Sequence, residues 1–117
     1  MPRAGLRHPL AMRRLAPLLP LLFAAGAACA GDAPDAARRS QLVEVIRQDC
    51  GACHGLTLKG GLGPSLAPAA LQERDAGQLS FVILNGRRGT PMPAWRSQLT
   101  EPEARWMAEL LKQGLPK

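Results

Sequence analysis

The chain has no tyrosine, two tryptophans and two phenylalanines, so aromatics supply 3% of its 117 residues. A domain of this length has limited area with which to build a core. With so few large side chains, a bound group is expected to fill part of the interior. Histidine and cysteine are scarce as well, at two and three residues. Three cysteines are too few for the disulfide framework of a small secreted domain. No glycine-rich phosphate loop or dinucleotide fingerprint is present, which argues against a nucleotide enzyme. The length admits one folded domain rather than two.

Charge is present but unevenly placed. Fifteen Lys and Arg stand against nine Asp and Glu, for a net charge of +6. Four of the cations, Arg3, Arg7, Arg13 and Arg14, precede an apolar run from Leu15 to Ala28 that ends in Ala28-Cys29-Ala30. A basic start, an apolar stretch and an A-x-A site read as a secretory leader over residues 1–30, cleaved to leave 31–117. The run is too short to span a bilayer and carries Pro17 and Pro20. Its removal lowers the net charge to +2, so the basic balance belongs to export and gives no support for nucleic-acid binding. The protein is expected in the periplasm. Cys29 is the alternative acceptor of a lipid anchor, and only that variant would hold the chain at a membrane; Gly26 stands where a lipidation signal prefers a long aliphatic residue.

After the leader, two thiols and one imidazole remain, and they form one run, Cys50-Gly51-Ala52-Cys53-His54. The spacing suits covalent haem: two cysteines on one helical turn match the two vinyl groups, and the next residue brings an imidazole under the iron. A structural zinc site needs four ligands and finds three. A dithiol oxidoreductase would place C-x-x-C at a helix start after a strand. Here a helical pattern precedes the motif, with Leu42, Ile46, Cys50 and Cys53 on one stripe. That oxidoreductase reading remains as a distant alternative.

With no second histidine left, the sixth iron ligand is sought among thioethers, Met92 and Met107. Met107 lies in a helical pattern and reads as core. Met92 stands in Thr90-Pro91-Met92-Pro93-Ala94-Trp95, where two prolines stiffen the loop; it is the expected ligand, with a loop methionine packed on the core as the plain alternative. The remaining pattern is helical. A first helix runs from about Asp35 into the cysteine motif. Residues 55–66 form an irregular loop with four glycines and a proline. A short helix starts at Pro68, another covers about Gln78 to Asn85 and stops at Gly86, and a last one opens on Thr100-Glu101-Pro102-Glu103 and closes at Gly114. No alternating strand pattern of useful length occurs. The fold class is all-α.

These features in this order resemble a class I cytochrome c over nearly all of residues 35–114: the haem motif, Gly63-Pro64-Ser65-Leu66, Ile83-Leu84-Asn85-Gly86, Met92-Pro93-Ala94-Trp95 and a C-terminal helix. Within that family the chain is most similar to short exported cytochromes encoded beside the nitrite reductase of denitrifying bacteria. The resemblance implies helices wrapped around one haem c held by two thioethers, with His54 and Met92 on the iron. It implies that the carbonyl of Gly63 or Pro64 accepts a hydrogen bond from His54, and that Trp95 packs near the haem edge, where plain core packing is the alternative. Leu110 stands where many relatives have an aromatic, and Trp106 is the candidate to replace it. The implied function is one-electron transfer without catalysis or a small-molecule substrate. A quinol-oxidising donor and a nitrite reductase are the implied partners, and an accessory role in maturing that enzyme's haem is the alternative. Arg87, Arg88 and Arg96 are expected to rim the docking edge.

Overall fold

A computed structural model describes Gly5 and residues 31–117. The expected leader, its cleavage site and Cys29 lie outside the described residues.

Asp35 opens the first helix, its carboxylate accepting from Arg38 N at 2.8 Å. Helix α1 spans Ala36–Val45, passes into a π-helical turn at Ile46–Cys50 and resumes as the single turn α2, Gly51–His54. The expected first helix is therefore present, but it is not uniformly α. The reason lies in its apolar stripe. From Leu42 to Cys50 an ideal α-helix drifts by about 80° around its axis, and the wider turn takes up part of that drift. Leu42 and Ile46 both remain fully buried. Helix α3, Pro68–Leu71, has proline in its first turn.

Helix α4, Ala76–Asn85, begins two residues earlier than the sequence pattern suggested. Asp75 is the cause: its side chain caps the Gln78 amide at 3.0 Å, and Ala76 is buried. Gly86, at φ 68°, stops the helix. Helix α5, Glu101–Gln113, starts on a capping box in which Thr100 and Glu103 satisfy each other's backbone amides, and Gly114, at φ 97°, ends it. Its buried stripe is Ala104, Met107, Ala108 and Leu111, an i, i+3, i+4, i+7 spacing that faces the core.

Helix α5 is the organiser, since α1, α3 and α4 all pack on it. Two fully buried alanines, Ala104 and Ala108, let neighbours approach closely, and Leu42, Ile46 and Met107 fill the space around them. Burying each of those three large side chains contributes about 1.5–3 kcal/mol. Met107 is core, as its pattern indicated. Trp106 and Leu110 are partly buried against the same cluster, and Arg39 lies 5.8 Å from the Trp106 ring centre. Among the described residues there is no strand, so the protein is all-α.

One ion pair joins the ends of the bundle. Arg38 Nε donates to Glu103 Oε1 at 2.6 Å, while Glu103 Oε2 accepts from Thr100 N at 2.8 Å. The hydrogen bond from Arg38 holds the Glu103 carboxyl below the usual carboxylate range, assisted by Thr100. A carboxylate whose folded pKa is depressed stabilises the fold above its ordinary value near 4.3, and that contribution fades as pH falls through the lowered folded value. Glu103→Gln keeps the cap and removes the charge, at an expected cost of about 0.2–1 kcal/mol at pH 7. In denaturant titrations the gap from the native chain should close below about pH 4; a constant gap from pH 7 to pH 3 would assign the cost to something other than the charge.

Candidate functional site

The thiol run sits where the first helix ends. Cys50 closes the π-helical turn, and Cys53 and His54 lie on α2. Both thiols are free and half-buried. Burial pushes the Cys50 thiol up to about 11, and the neighbouring Asp49 charge adds to the rise. Cys50 is thus a neutral thiol at pH 7.

A helix that stops here leaves carbonyls without partners, and the following loop supplies them. Gly60 N donates to His54 O and Gly63 N to Cys53 O, both at 2.8 Å. The turn that allows this passes through Gly55 at φ 88°, where a Cβ would fall 2.5 Å from the Gly60 carbonyl oxygen. The loop then crosses the imidazole. His54 Nδ1 lies 2.7 Å from the Pro64 carbonyl oxygen. A carbonyl can only accept, so Nδ1 carries a proton and donates, and in the neutral ring the lone pair is then on Nε2. Of the two carbonyls that the family resemblance offered, the structure selects that of Pro64. Gly63 has a different task. A Cβ there would lie 2.7 Å from His54 Cε1 and 2.8 Å from Nδ1, so only glycine lets the chain lie against the ring.

Met92 and Trp95 belong to a second cluster, tied to the C-terminal end of α4. Trp95 N donates to Ile83 O at 3.2 Å, Arg96 N to Leu84 O at 3.1 Å and Arg87 N to Met92 O at 3.3 Å. Gly86 is again required by close approach, since a Cβ would lie 2.6 Å from Met92 O. Thr90 closes the loop, its hydroxyl donating to Arg87 O at 2.7 Å and accepting from Met92 N at 3.4 Å. Met92 is half-buried, and Trp95 packs against the hydrophobic core. Of the three arginines expected at the rim, Arg96 is occupied by Asn85 Oδ1 and Glu101 Oε1. Arg87 and Arg88 are exposed, and neither has an ion-pair partner among the described residues. The close approaches at Gly55 and Gly86 and the hydrogen bonds of Thr90 and Asn85 were not foreseen, although Gly86 reads as a helix stop and Asn85 and Thr90 stand in the stretches that flag the Met92 region.

This donor set fits a covalently held haem. It offers two free thiols on adjoining turns and one imidazole with Nδ1 committed and Nε2 open. It does not fit a bare metal ion, because no cluster of three His, Cys, Asp and Glu side chains occurs among the described residues. Nor does the C-x-x-C stand at a helix start after a strand, as a dithiol oxidoreductase would have it.

A family model described as cytochrome c oxidase, cbb3-type, subunit III matches residues 37–111, and the chain belongs to this family of c-type cytochromes. It is 57% identical over 100 residues to cytochrome c55X of Paracoccus denitrificans (strain Pd 1222), covering 86% of this chain and 94% of that protein. Among solved structures it is similar to the c-type cytochrome NirC, with a TM-score of 0.67 and 46% identity over 68% of this chain and 94% of that one. It is also 38% identical over 106 residues to the dihydro-heme d1 dehydrogenase of Pseudomonas aeruginosa, covering 91% of this chain but 20% of that enzyme. The all-α fold is that of a small cytochrome c, and no helix among the described residues is long and apolar enough to cross a membrane.

If Gly63 confines the imidazole, Gly63→Ala should push the ring off the Pro64 carbonyl. The Nδ1 proton, shielded in the native chain by the Pro64 carbonyl, should then exchange freely with solvent and lose its NMR signal. A signal still protected in the variant would show that the ring is held by other means.

Proposed function

We propose that the chain, exported by a leader over residues 1–30, is a periplasmic one-electron carrier with a single haem c. In this reading Cys50 and Cys53 form the two thioethers, and His54 and Met92 are the axial ligands. The observation that carries it is the 2.7 Å contact between His54 Nδ1 and Pro64 O, which turns the imidazole into an oriented, electron-rich ligand before any metal arrives. When bound, the haem supplies one reversible electron at its iron.

The chain's residues set the conditions for that exchange. Pro91 and Pro93 hold the Met92 loop stiff, and the bonds from Trp95, Arg96 and Arg87 fasten it to α4, so little need move when the charge changes. A haem held by His54 and by the neutral thioether of Met92 would have its reduced state favoured, and with both side chains committed to it would exchange an electron rather than bind a substrate. Trp95 seals the loop against the core, and Arg87 with Arg88 offer a positive edge to an acidic partner.

The similarity to cytochrome c55X and NirC supports a place in nitrite reduction, with a quinol-oxidising donor upstream and nitrite reductase as acceptor. A second reading rests on the dihydro-heme d1 dehydrogenase. A domain like this chain forms a fifth of that enzyme, which supports a role as electron acceptor during haem maturation. Removing two hydrogens releases two electrons, so two one-electron carriers would be consumed per turnover.

The ligand assignment is tested by Met92→Ala, which should lower the midpoint potential and remove the methionine-to-iron charge-transfer band, while the haem remains covalently attached. Potential and band both unchanged would show that Met92 is not the ligand. The partner assignment is tested by anaerobic stopped flow: ferrous protein against nitrite reductase, and ferric protein against the dehydrogenase with its dihydro substrate. Rapid oxidation in the first arm supports delivery to the reductase, and reduction in the second alone supports the maturation role. Inertness in both arms would remove both readings.

A further inference from the structure

One hollow among the described residues is separate from the cysteine motif. It is a groove of about 530 Å³ bounded by the π-helical turn, the loop after His54 and the C-terminal end of α5, and it includes none of Cys50, Cys53, His54 and Met92. That volume lies within the roughly 300–1,000 Å³ usual for small-molecule sites. Leu56, Leu66, Leu111 and Leu115 make it apolar. Leu56, at the mouth of the groove, remains 77% exposed.

Its floor is built rather than accidental. Leu58 takes φ 59°, a left-handed conformation that a branched side chain adopts only under constraint, and is nevertheless buried. Leu66 N and Ser65 Oγ both donate to its carbonyl, at 2.8 and 3.3 Å. The polar lining is Arg47, Gln48, Thr57 and Lys59, so two cations face the groove with no carboxylate among the lining residues. Arg47 Nη2 also donates to Pro116 O at 2.6 Å, which pins the C-terminal tail beside the groove. A hollow with an apolar floor and a purely cationic edge is complementary to an apolar body with one anionic end. Because these residues line a hollow rather than a flat face, the site suits a molecule held singly.

We propose that this groove binds a single-chain anionic amphiphile of the fatty-acid class, its carboxylate at Arg47 and Lys59 and its tail over Leu56, Leu66, Leu111 and Leu115. The site is independent of the electron-transfer reading, since it shares no residue with the axial ligands or the thioethers.

The holoprotein, ¹⁵N-labelled, is titrated with dodecanoate below its micelle concentration. Saturable shifts confined to the amides of residues 47, 48, 56–59, 66, 67, 111, 114 and 115 are expected, with none from acetate or from dodecyltrimethylammonium at the same concentrations. Lys59→Glu and, separately, Leu115→Ser should each weaken binding about tenfold or more, with the haem spectrum and midpoint potential of both variants unchanged to show that the fold survives. Equal binding of the cationic amphiphile, native affinity in both variants, no saturable response, or a response to phosphatidylglycerol vesicles without one to dodecanoate would each overturn the proposal.

Discussion

The hydrogen bond from His54 Nδ1 to the Pro64 carbonyl is the contact around which the site is organised. It closes a short loop back onto the helix it has just left, and that closure solves two problems at once. The last carbonyls of the first helix, Cys53 O and His54 O, find donors in Gly63 and Gly60, and the imidazole is fixed in tautomer and direction. The cost is paid in sequence freedom: a side chain at Gly55 or Gly63 would collide with the Gly60 carbonyl or with the ring itself. Glycine is flexible when unfolded, so the loop is held in place by what it contacts, namely buried Leu58 and the bonds from Ser65 and Leu66 to its carbonyl.

The rest of the fold positions a second loop relative to the first. Helix α5 gathers α1, α3 and α4 through a stripe of small and large apolar residues. Glu103 has two duties there, capping α5 and pairing with Arg38, which ties the start of α1 to the start of α5. From this base, α4 carries the Met92 loop at its C-terminal end, where Asn85 holds Arg96 and the carbonyls of Ile83 and Leu84 hold Trp95 and Arg96. The proposed ligands therefore come from two elements with separate supports, His54 on α2 and Met92 on a loop fastened to α4. A carrier benefits from such rigid mounting, because a site that moves little when its charge changes exchanges electrons readily.

Membership of the c-type cytochromes and the similarity to cytochrome c55X and NirC agree with that arrangement. The likeness to a fifth of a dehydrogenase places a similar segment within a longer enzyme. In this chain the exposed features are Arg87 and Arg88 beside the Met92 loop and the apolar, cation-edged groove at the other cluster's back.

Local rules made much of this legible in advance. C-x-x-C-H is a chemical statement at fixed spacing, and Thr100-Glu101-Pro102-Glu103 and Gly114 mark a helix by the amides and carbonyls they satisfy. Buried Met107 followed from its phase on that helix. The π-helical turn was not legible, because periodicity alone does not tell whether the drift of the Leu42, Ile46 and Cys50 stripe is taken up by a wider turn or left in a regular α-helix. The start of α4 at Ala76 turned on one Asp75 cap, a choice between neighbouring residues that periodicity does not resolve. The sequence alone thus settles which groups are available and on which elements they ride, since those depend on neighbours a few residues apart. Folding in three dimensions decides which carbonyl receives the His54 proton, that Arg96 is spent on Asn85 and Glu101, and that a cationic groove exists at all, because each depends on groups brought together from distant parts of the chain.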